Sequence, residues 1–230
     1  MTRRSRRNLG PVAAAYATNP LPPPRTAWTE ASWCVVDLEL SGLDPARHEI
    51  LSFGAISIDH GRVQLAGATT GLVRPTGPVE EASIRVHGLR PVDLEDAAPL
   101  PEAIEPLIEA ITGRVLVAHA ARIETAFLAR ALRAKQLRLR ARIADTNVIG
   151  QLWLGERDGR APRELSLSEL AYSLGLPVHT PHDALGDALT TAQAFIALAT
   201  HLSVQREQTV ESLTRADRKL QAMRTYPTHT

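Results

Sequence analysis

Two acidic residues interrupt an apolar, β-rich stretch near the start of the chain, and this stretch limits the possible folds more than any other. It reads WCVVDLELSGLDP from Trp33 to Pro45, with Asp37 and Glu39 two residues apart. Because alternate residues of a strand project from the same face, both carboxylates point the same way. The turn signal Ser-Gly-Leu-Asp-Pro ends the strand, so the acids lie near its C-terminal end, where open α/β sheets tend to place ligands. This stretch alone leaves two interpretations open: a metal site, or one acid facing solvent and another at a frayed strand end.

Composition and charge narrow the classes of protein to which the chain can belong. Its 230 residues are 44% hydrophobic and 22% charged, which is ordinary for one globular α/β domain with tails. The single cysteine, Cys34, excludes an internal disulfide and predicts a reducing compartment, the cytoplasm. No run approaches the roughly 18 apolar residues of a membrane span, so no membrane partner is expected. A net charge of +1 gives no general attraction to polyanions. The acid-free stretch 130–142 carries six basic residues and predicts a solvated surface, with contact to a nucleic-acid backbone as the alternative.

The two ends of the chain differ in composition from its middle and set the predicted domain bounds. Residues 1–29 contain no acid, a proline cluster and five arginines, which predicts a disordered tail; an organelle-targeting segment is the alternative. Residues 30–202 form the predicted globular domain. Residues 203–230 predict an amphipathic C-terminal helix that packs on its own domain, with a protein partner or self-association as the alternative. Its apolar stripe consists of Val210, Leu213, Leu220 and Met223.

The hydrophobic pattern of the middle segment predicts alternating strands and helices. An antiparallel meander of three strands is predicted by apolar, β-branched runs at 33–40, 49–59 and 63–74. Shorter strands are predicted within 114–119 and 138–145. Helices are predicted at 101–111, 121–135, 145–154, 166–174 and 183–201. The order predicts an α/β fold with one mixed five-stranded sheet, the meander plus parallel strands, flanked by helices.

Two further acids and a histidine are predicted to lie at the same end of this sheet. Glu124 lies early on the helix that follows the strand ending at His119. Asp187 interrupts an otherwise apolar helix, where a carboxylate costs stability unless something binds it. His182 lies in the loop before that helix. The predicted cluster of carboxylates without arginine partners consists of Asp37, Glu39, Glu124 and Asp187.

Such a cluster requires a divalent metal, and oxygen ligands favour Mg²⁺ or Mn²⁺. Carboxylate clusters of this kind typically hold two ions about 4 Å apart for phosphoryl displacement. A nearby histidine, His182, would then take a proton as general base. A zinc site at His179 and His182 is disfavoured because no second ligand pair accompanies them.

Several segments of the chain follow, in order and spacing, the motifs of one known family. DLELSGLDP is similar to its first motif and supplies Asp37 and Glu39, and ILSFGAISI matches its usual second strand. IRVHGL matches an Ile-His-Gly element, with His87 in the histidine position. VLVAHAARIETAFL resembles the second motif, and HDALGDA matches the third, with His182 and Asp187 in the conserved-motif positions. Together these segments resemble the DEDDh group of the DnaQ-like 3′–5′ exonucleases, of ribonuclease H-like fold, which includes the proofreading ε subunit of DNA polymerase III.

This resemblance covers residues 33–200 and implies a metal-dependent 3′–5′ exonuclease that releases nucleoside 5′-monophosphates from nucleic-acid 3′ ends. It implies that the four acids hold two Mg²⁺ or Mn²⁺ ions while His182 deprotonates the attacking water. The residues that it implies contact substrate are Ser41, Gly42, Leu43, His87 and His119. The implied partner is a nucleic acid with a 3′ end, with single-stranded DNA or RNA favoured, and the implied setting is DNA repair.

The second motif departs from the family pattern. Ala120 stands where asparagine is usual, Ile123 where phenylalanine is usual, and Glu124 where the metal-ligating aspartate is usual. Glutamate keeps the charge and adds one methylene, so activity is expected to survive. The departures keep open an exonuclease-like module that binds nucleic acid with weak cutting or none. The C-terminal stripe and the basic N-terminal tail keep open a proofreading or repair subunit recruited by a partner.

Overall fold

A five-stranded mixed sheet forms the centre of the fold. The computed structural model describes residues 9–159 and 163–225. The strands are β1 (Trp33–Leu40), β2 (Ile50–Asp59), β3 (Arg62–Leu72), β4 (Val115–Ala118) and β5 (Ile143–Asp145). They lie in the order β3-β2-β1-β4-β5. β1 pairs antiparallel with β2 and β2 with β3, whereas β4 runs parallel to both β1 and β5. The predicted meander with added parallel strands is confirmed.

The strand sequences explain this arrangement. β1 lies inside the sheet, and its alternate residues enter two separate apolar cores, Val35 in one and Cys34 in the other. Burial raises the pKa of the Cys34 thiol to about 12, so this cysteine is an inert core residue. His60 and Gly61 both have positive φ angles, 53° and 67°, as a two-residue hairpin turn between β2 and β3 requires.

Helices cover both faces of the sheet. They are α1 (Pro11–Thr18), α2 (Glu81–His87), α3 (Leu100–Ala103), α4 (Glu105–Ile111), α5 (Ala121–Ala134), α6 (Thr146–Asp158), α7 (Leu167–Ser173), α8 (Ala184–Gln205), α9 (Val210–Thr214) and α10 (Ala216–Thr225). A short 3-10 helix spans Pro91–Leu94. Within the described ranges, none of these helices has the length and apolar character needed to cross a membrane.

The N-terminal end of α8 is placed against the sheet by a glycine. Gly54 on β2 lies opposite Asp37 in the pairing of β1 with β2. A Cβ atom at Gly54 would lie 2.2 Å from the carbonyl oxygen of Ala184, so a larger residue would push α8 away. Asp187 is on the first turn of α8 and is therefore brought close to Asp37.

The predicted disordered tail at 1–29 is wrong for residues 9–29, and residues 1–8 lie outside the described part. Helix α1 buries Ala13 and Tyr16 against the domain. The Tyr16 hydroxyl accepts a hydrogen bond from the Arg140 backbone N–H (2.9 Å), and the Arg142 guanidinium donates to the Pro22 carbonyl (2.7 Å). Part of the basic stretch 130–142 therefore holds the N-terminal segment in place.

The C-terminal segment packs on its own domain, as predicted, but it consists of two helices and does not form a separate unit. Val210, Leu213 and Leu220 are buried in the same core as β1. The side chain of Met223 lies outside the described part. The helix predicted at 101–111 is likewise divided into α3 and α4, where Pro106 lacks the N–H that a continuous helix would use.

Candidate active site

Three of the four predicted acids converge at one end of the sheet. Asp37 and Glu39 project from the same face of β1, and Asp187 comes from the first turn of α8. One carboxylate oxygen from each of these three residues lies within 4.8 Å of the other two. The fourth acid, Glu124, is not part of this mutually close group, but its charge raises the pKa of Asp37.

Burial and mutual repulsion dominate the electrostatics of the cluster. Burial, followed by the charges of Glu124, Asp187 and Glu39, raises the pKa of Asp37 well above its ordinary value. Burial, then Asp187 and Asp183, raises the pKa of Glu39 to about 7. Among the described residues, no arginine or lysine forms an ion pair with any of the four acids.

Glu124 adds an independent sign that this site binds a cation. Its Oε2 atom is buried and has no hydrogen-bond partner in the described part of the chain. Burial raises the pKa of this carboxyl, and the charge of Glu39 raises it further. A buried carboxylate without a partner is costly unless a charge compensates it. The hard oxygen donors of Asp37, Glu39, Asp187 and Glu124 fit a divalent metal ion.

The loop between β4 and α5 sets the position of Glu124. Ala120 has φ 56° and ψ 47°, a left-handed conformation that residues with a Cβ adopt at a cost, and it offers no side-chain cap to α5. Asp145 replaces that cap: one carboxylate oxygen accepts from the Ala121 N–H and the other from the Asn147 N–H, both at 2.9 Å. Asp145 therefore caps α5 and α6 together, a role that the sequence indicated only through its place before a helix.

His182 is joined to the acid cluster through its backbone. Its N–H donates to Oδ2 of Asp187 at 3.0 Å, while its own φ of 62° is left-handed. The side chain is exposed, and its charge acts to lower the pKa of Asp187 against the larger effect of burial. The paired histidine of the discarded zinc hypothesis, His179, instead contacts the Gln193 side chain through Nε2 at 3.0 Å.

A cleft of about 300 Å³ lies beside the cluster and contains two of the predicted substrate residues. Its walls are formed by the end of β1, the loop after it, α2 and the first turn of α5. The lining residues are Leu38, Glu39, Leu40, Leu43, Glu80, Ala82, Ser83, Val86, His87, Ile123 and Glu124. Ser41 and Gly42 are buried behind this wall, and Leu43 is 70% exposed. Larger cavities elsewhere are lined by none of the four acids.

His87 and His119 differ in what they can offer a ligand. In His87, Nδ1 accepts from the Leu89 N–H, so Nε2 carries the proton that is donated to the Leu40 carbonyl at 3.2 Å. Its ring edge still lines the cleft. In His119, Nε2 contacts the Leu165 carbonyl at 2.9 Å and Nδ1 contacts the Thr146 hydroxyl at 3.0 Å. Both ring nitrogens of His119 are therefore used within the protein, which favours a structural role over the expected substrate contact.

Comparisons with known proteins agree with this geometry. A family model described as Exonuclease (RNase_T) matches residues 34–195. The DNA polymerase III subunit epsilon-like protein of Rhodobacter capsulatus is 31% identical over 180 residues, which is 75% of this chain and 24% of that protein. The DNA polymerase III subunit epsilon of Aquifex aeolicus is 23% identical over 75% of this chain and 83% of that protein. The chain thus spans about a quarter of the Rhodobacter relative, and it spans 12% of the PolC-type polymerase of Thermotoga petrophila.

Solved structures share the fold. Exonuclease X in complex with 5′ overhanging duplex DNA matches with a TM-score of 0.63 and 20% identity, over 80% of this chain and 98% of that one. E. coli Exonuclease I in complex with a dT13 oligonucleotide matches with a TM-score of 0.65 and 14% identity, over 76% of this chain and 42% of that one. The predicted ribonuclease H-like sheet is confirmed. The chain belongs to the exonuclease family, whose model matches residues 34–195.

Proposed function

We propose that this protein is a metal-dependent 3′–5′ exonuclease that hydrolyses phosphodiester bonds at nucleic-acid 3′ ends and releases nucleoside 5′-monophosphates. The observation that carries this proposal is the convergence of Asp37, Glu39 and Asp187 within 4.8 Å of one another beside an open cleft. Family membership supports the same reaction class. The buried cysteine and the family relationship support a cytoplasmic enzyme of DNA repair or proofreading.

In the proposed mechanism two Mg²⁺ or Mn²⁺ ions would be held by Asp37, Glu39 and Asp187, together with Glu124. When bound, these ions supply Lewis acidity at the scissile phosphate. Asp37, whose pKa is raised by burial and by the charges of the other acids, would serve as a metal ligand. His182 would take the proton of the attacking water as general base, and its exposed ring in the loop before α8 leaves it accessible to that water.

The cleft supports a single-stranded 3′ end as substrate. A volume of about 300 Å³ is enough for one terminal nucleotide. A terminal nucleotide must therefore leave the stack before it enters, which costs least in a single strand. The flat faces of its base would be contacted by Leu43, Val86 and Ile123. The part of the cleft nearest the acid cluster is lined by Glu39 and Glu124.

The experiment that tests this function uses a single-stranded DNA and an RNA oligonucleotide, each labelled at its 5′ end, with Mg²⁺ or Mn²⁺. The expected result is a ladder that shortens from the 3′ end, with 5′-monophosphate products and no cutting of a circular single strand. Asp37→Ala should produce no ladder. Equal products from both proteins, or none from either, would contradict the proposal.

The alternative of a module that binds without cutting is not favoured, because the acids cluster and Glu124 retains a carboxylate. If Glu124 holds metal, Glu124→Gln should lower activity about 10- to 100-fold, while Glu124→Asp should retain most of it. Recruitment by a protein partner would need a surface other than the predicted C-terminal stripe, since Val210, Leu213 and Leu220 are buried within the domain.

A further inference from the structure

We propose that His48 and Glu80 form a latch that sets the width of the cleft and thereby controls the binding of the terminal nucleotide. This inference rests on the proposed function. The latch joins the two walls of the cleft: His48 belongs to the loop between β1 and β2, and Glu80 immediately precedes α2. Nε2 of His48 lies 3.0 Å from Oε1 of Glu80.

The His48 ring is held in one orientation. Its side chain is 14% exposed. Its Nδ1 accepts a hydrogen bond from the Asp44 backbone N–H at 3.0 Å, so in this geometry the proton resides on Nε2 and is directed at Glu80. The carbonyl of the same residue accepts from the Arg130 guanidinium at 2.7 Å, which ties the loop to α5. These contacts leave the ring a single partner on the opposite wall.

The ring also supports the loop that carries the exposed Leu43. A Cβ atom at Gly42 would lie 2.6 Å from each of three His48 ring atoms, so the backbone at Gly42 packs directly on the ring. Displacement of His48 would therefore displace the neighbouring Leu43, which lines the cleft. The glycine of the first motif is therefore a packing partner of the His48 ring.

Glu80 connects the His48 ring to the other wall of the cleft. Its backbone N–H donates to the Ser41 carbonyl at 2.9 Å, and its side chain lines the cleft with Val86 and His87 of α2. The Glu80 side chain is 54% exposed, and a hydrogen bond this exposed contributes little to folding stability. The contact between His48 and Glu80 instead fixes the distance between the two walls of the cleft. That distance determines how the terminal nucleotide fits, and it does not change the acid cluster.

The same helix offers a matched control. Glu81 forms an ion pair with Arg85 at 3.5 Å, with side-chain exposures of 88% and 71%, and neither residue lines the cleft. Replacing Glu81 removes the same charge one position away from the latch. A change caused by general loss of negative charge would appear in both variants.

The test measures KM and kcat on a single-stranded oligonucleotide, and the equilibrium affinity for thymidine 5′-monophosphate, in the full-length chain with divalent metal. His48→Ala and Glu80→Ala should each raise KM and weaken monophosphate binding about tenfold with kcat unchanged, and Glu80→Ala should also leave Tm unchanged. The double variant should be no worse than either single one, because both remove one contact. Glu80→Gln retains an acceptor for Nε2–H and should restore KM to within about twofold, and Glu81→Gln should behave as wild type.

Several results would overturn the latch: unchanged KM in both alanine variants, additive effects in the double variant, or an equal effect of Glu81→Gln. A fall in kcat with KM unchanged would also overturn it, since the pair would then act on the chemistry. A wild type that does not cut would refute the proposed function, whereas the monophosphate affinity would still decide the latch. A wild type that binds no monophosphate overturns the latch as well.

Discussion

The backbone N–H of His182 donates a hydrogen bond to Oδ2 of Asp187 across 3.0 Å. The proposed base and one proposed metal ligand therefore belong to a single local unit at the start of α8. Asp183 caps that helix by accepting from the Gly186 N–H at 2.9 Å. The unit is compact because Gly186 lies against the Thr180 carbonyl, where a Cβ atom would approach to 2.6 Å. The position of the histidine relative to the acids is thus set by the backbone.

Replacing His182 should separate catalysis from metal binding. In His182→Asn, asparagine tolerates the left-handed φ and keeps the N–H that Asp187 accepts. We expect kcat to fall about 10²- to 10⁴-fold, with metal affinity retained. His60→Asn is the matched control, since His60 is exposed at a φ of 53° in the turn between β2 and β3 and should retain full activity. Equal kcat in both variants would remove His182 from the mechanism.

Metal binding should be measurable without turnover. A divalent metal that binds only the folded state should raise Tm. At a free metal concentration of 100 times its Kd, the free energy of unfolding should rise by about 2.7 kcal/mol. Asp37→Asn should abolish most of this rise. Asp183→Asn, which removes a neighbouring acid but keeps the helix cap, should preserve the metal-induced rise. Thermal melts in EDTA and in Mn²⁺ give the measurement. If both variants lost the metal-induced rise in Tm equally, metal binding would depend only on the total negative charge of the site.

His119 should make the protein sensitive to acid. Burial lowers its pKa below the ordinary value of 6.5, so below that pH the unfolded chain takes up a proton that the folded protein does not. The contribution of His119 to the free energy of unfolding should therefore fall as the pH drops through 6.5, by up to about 1.4 kcal/mol per pH unit, whereas the raised pKa of Glu39 contributes with the opposite sign. His119→Gln removes this contribution, so between pH 7.5 and 5.5 the variant should lose less stability, or gain more, than the wild type in denaturant titrations. Superimposable profiles for the two proteins would exclude His119 as the cause.

Ala120 is a position where the family's usual asparagine should stabilise the fold. Asparagine adopts the left-handed conformation of this residue at lower cost and can cap α5. We expect Ala120→Asn to raise the free energy of unfolding by about 0.5–1 kcal/mol in urea titrations. Ala134→Asn, at the other end of α5, should stabilise nothing, because asparagine is a poorer helix former. A loss of stability at position 120 would show that Asp145 already satisfies this helix end.

The C-terminal helices should be required for stability. Leu213 is 2% exposed, so Leu213→Ala should cost about 2–5 kcal/mol of unfolding free energy by leaving a cavity. Val204, at 83% exposure, provides the control, and Val204→Ala should change stability by less than about 0.5 kcal/mol. Chemical denaturation measures both. A small effect at Leu213 would revive the interpretation of this segment as a detachable partner helix.

Local patterns determined much of the architecture and the chemistry. The period-two spacing of Asp37 and Glu39 requires that both face the same way on any strand, whatever surrounds it. The helix predicted at 166–174 is present as α7, and it begins with a capping box in which Ser166 and Glu169 exchange hydrogen bonds. The position of Asp187 in an apolar helix indicated a bound ligand, because an isolated carboxylate is costly there.

Other features depended on contacts between distant parts of the chain. Residues 9–29 are ordered because their carbonyls accept hydrogen bonds from Arg140 and Arg142, more than a hundred positions later. The segment itself carries no periodic pattern that would predict this packing. The convergence of the acids depends on Gly54, whose missing side chain lets Ala184 approach. The sequence by itself determined which residues carry charge and which face of each strand they occupy, since these follow from local periodicity. Only the tertiary structure decided their distances, because those depend on how closely one backbone can approach another.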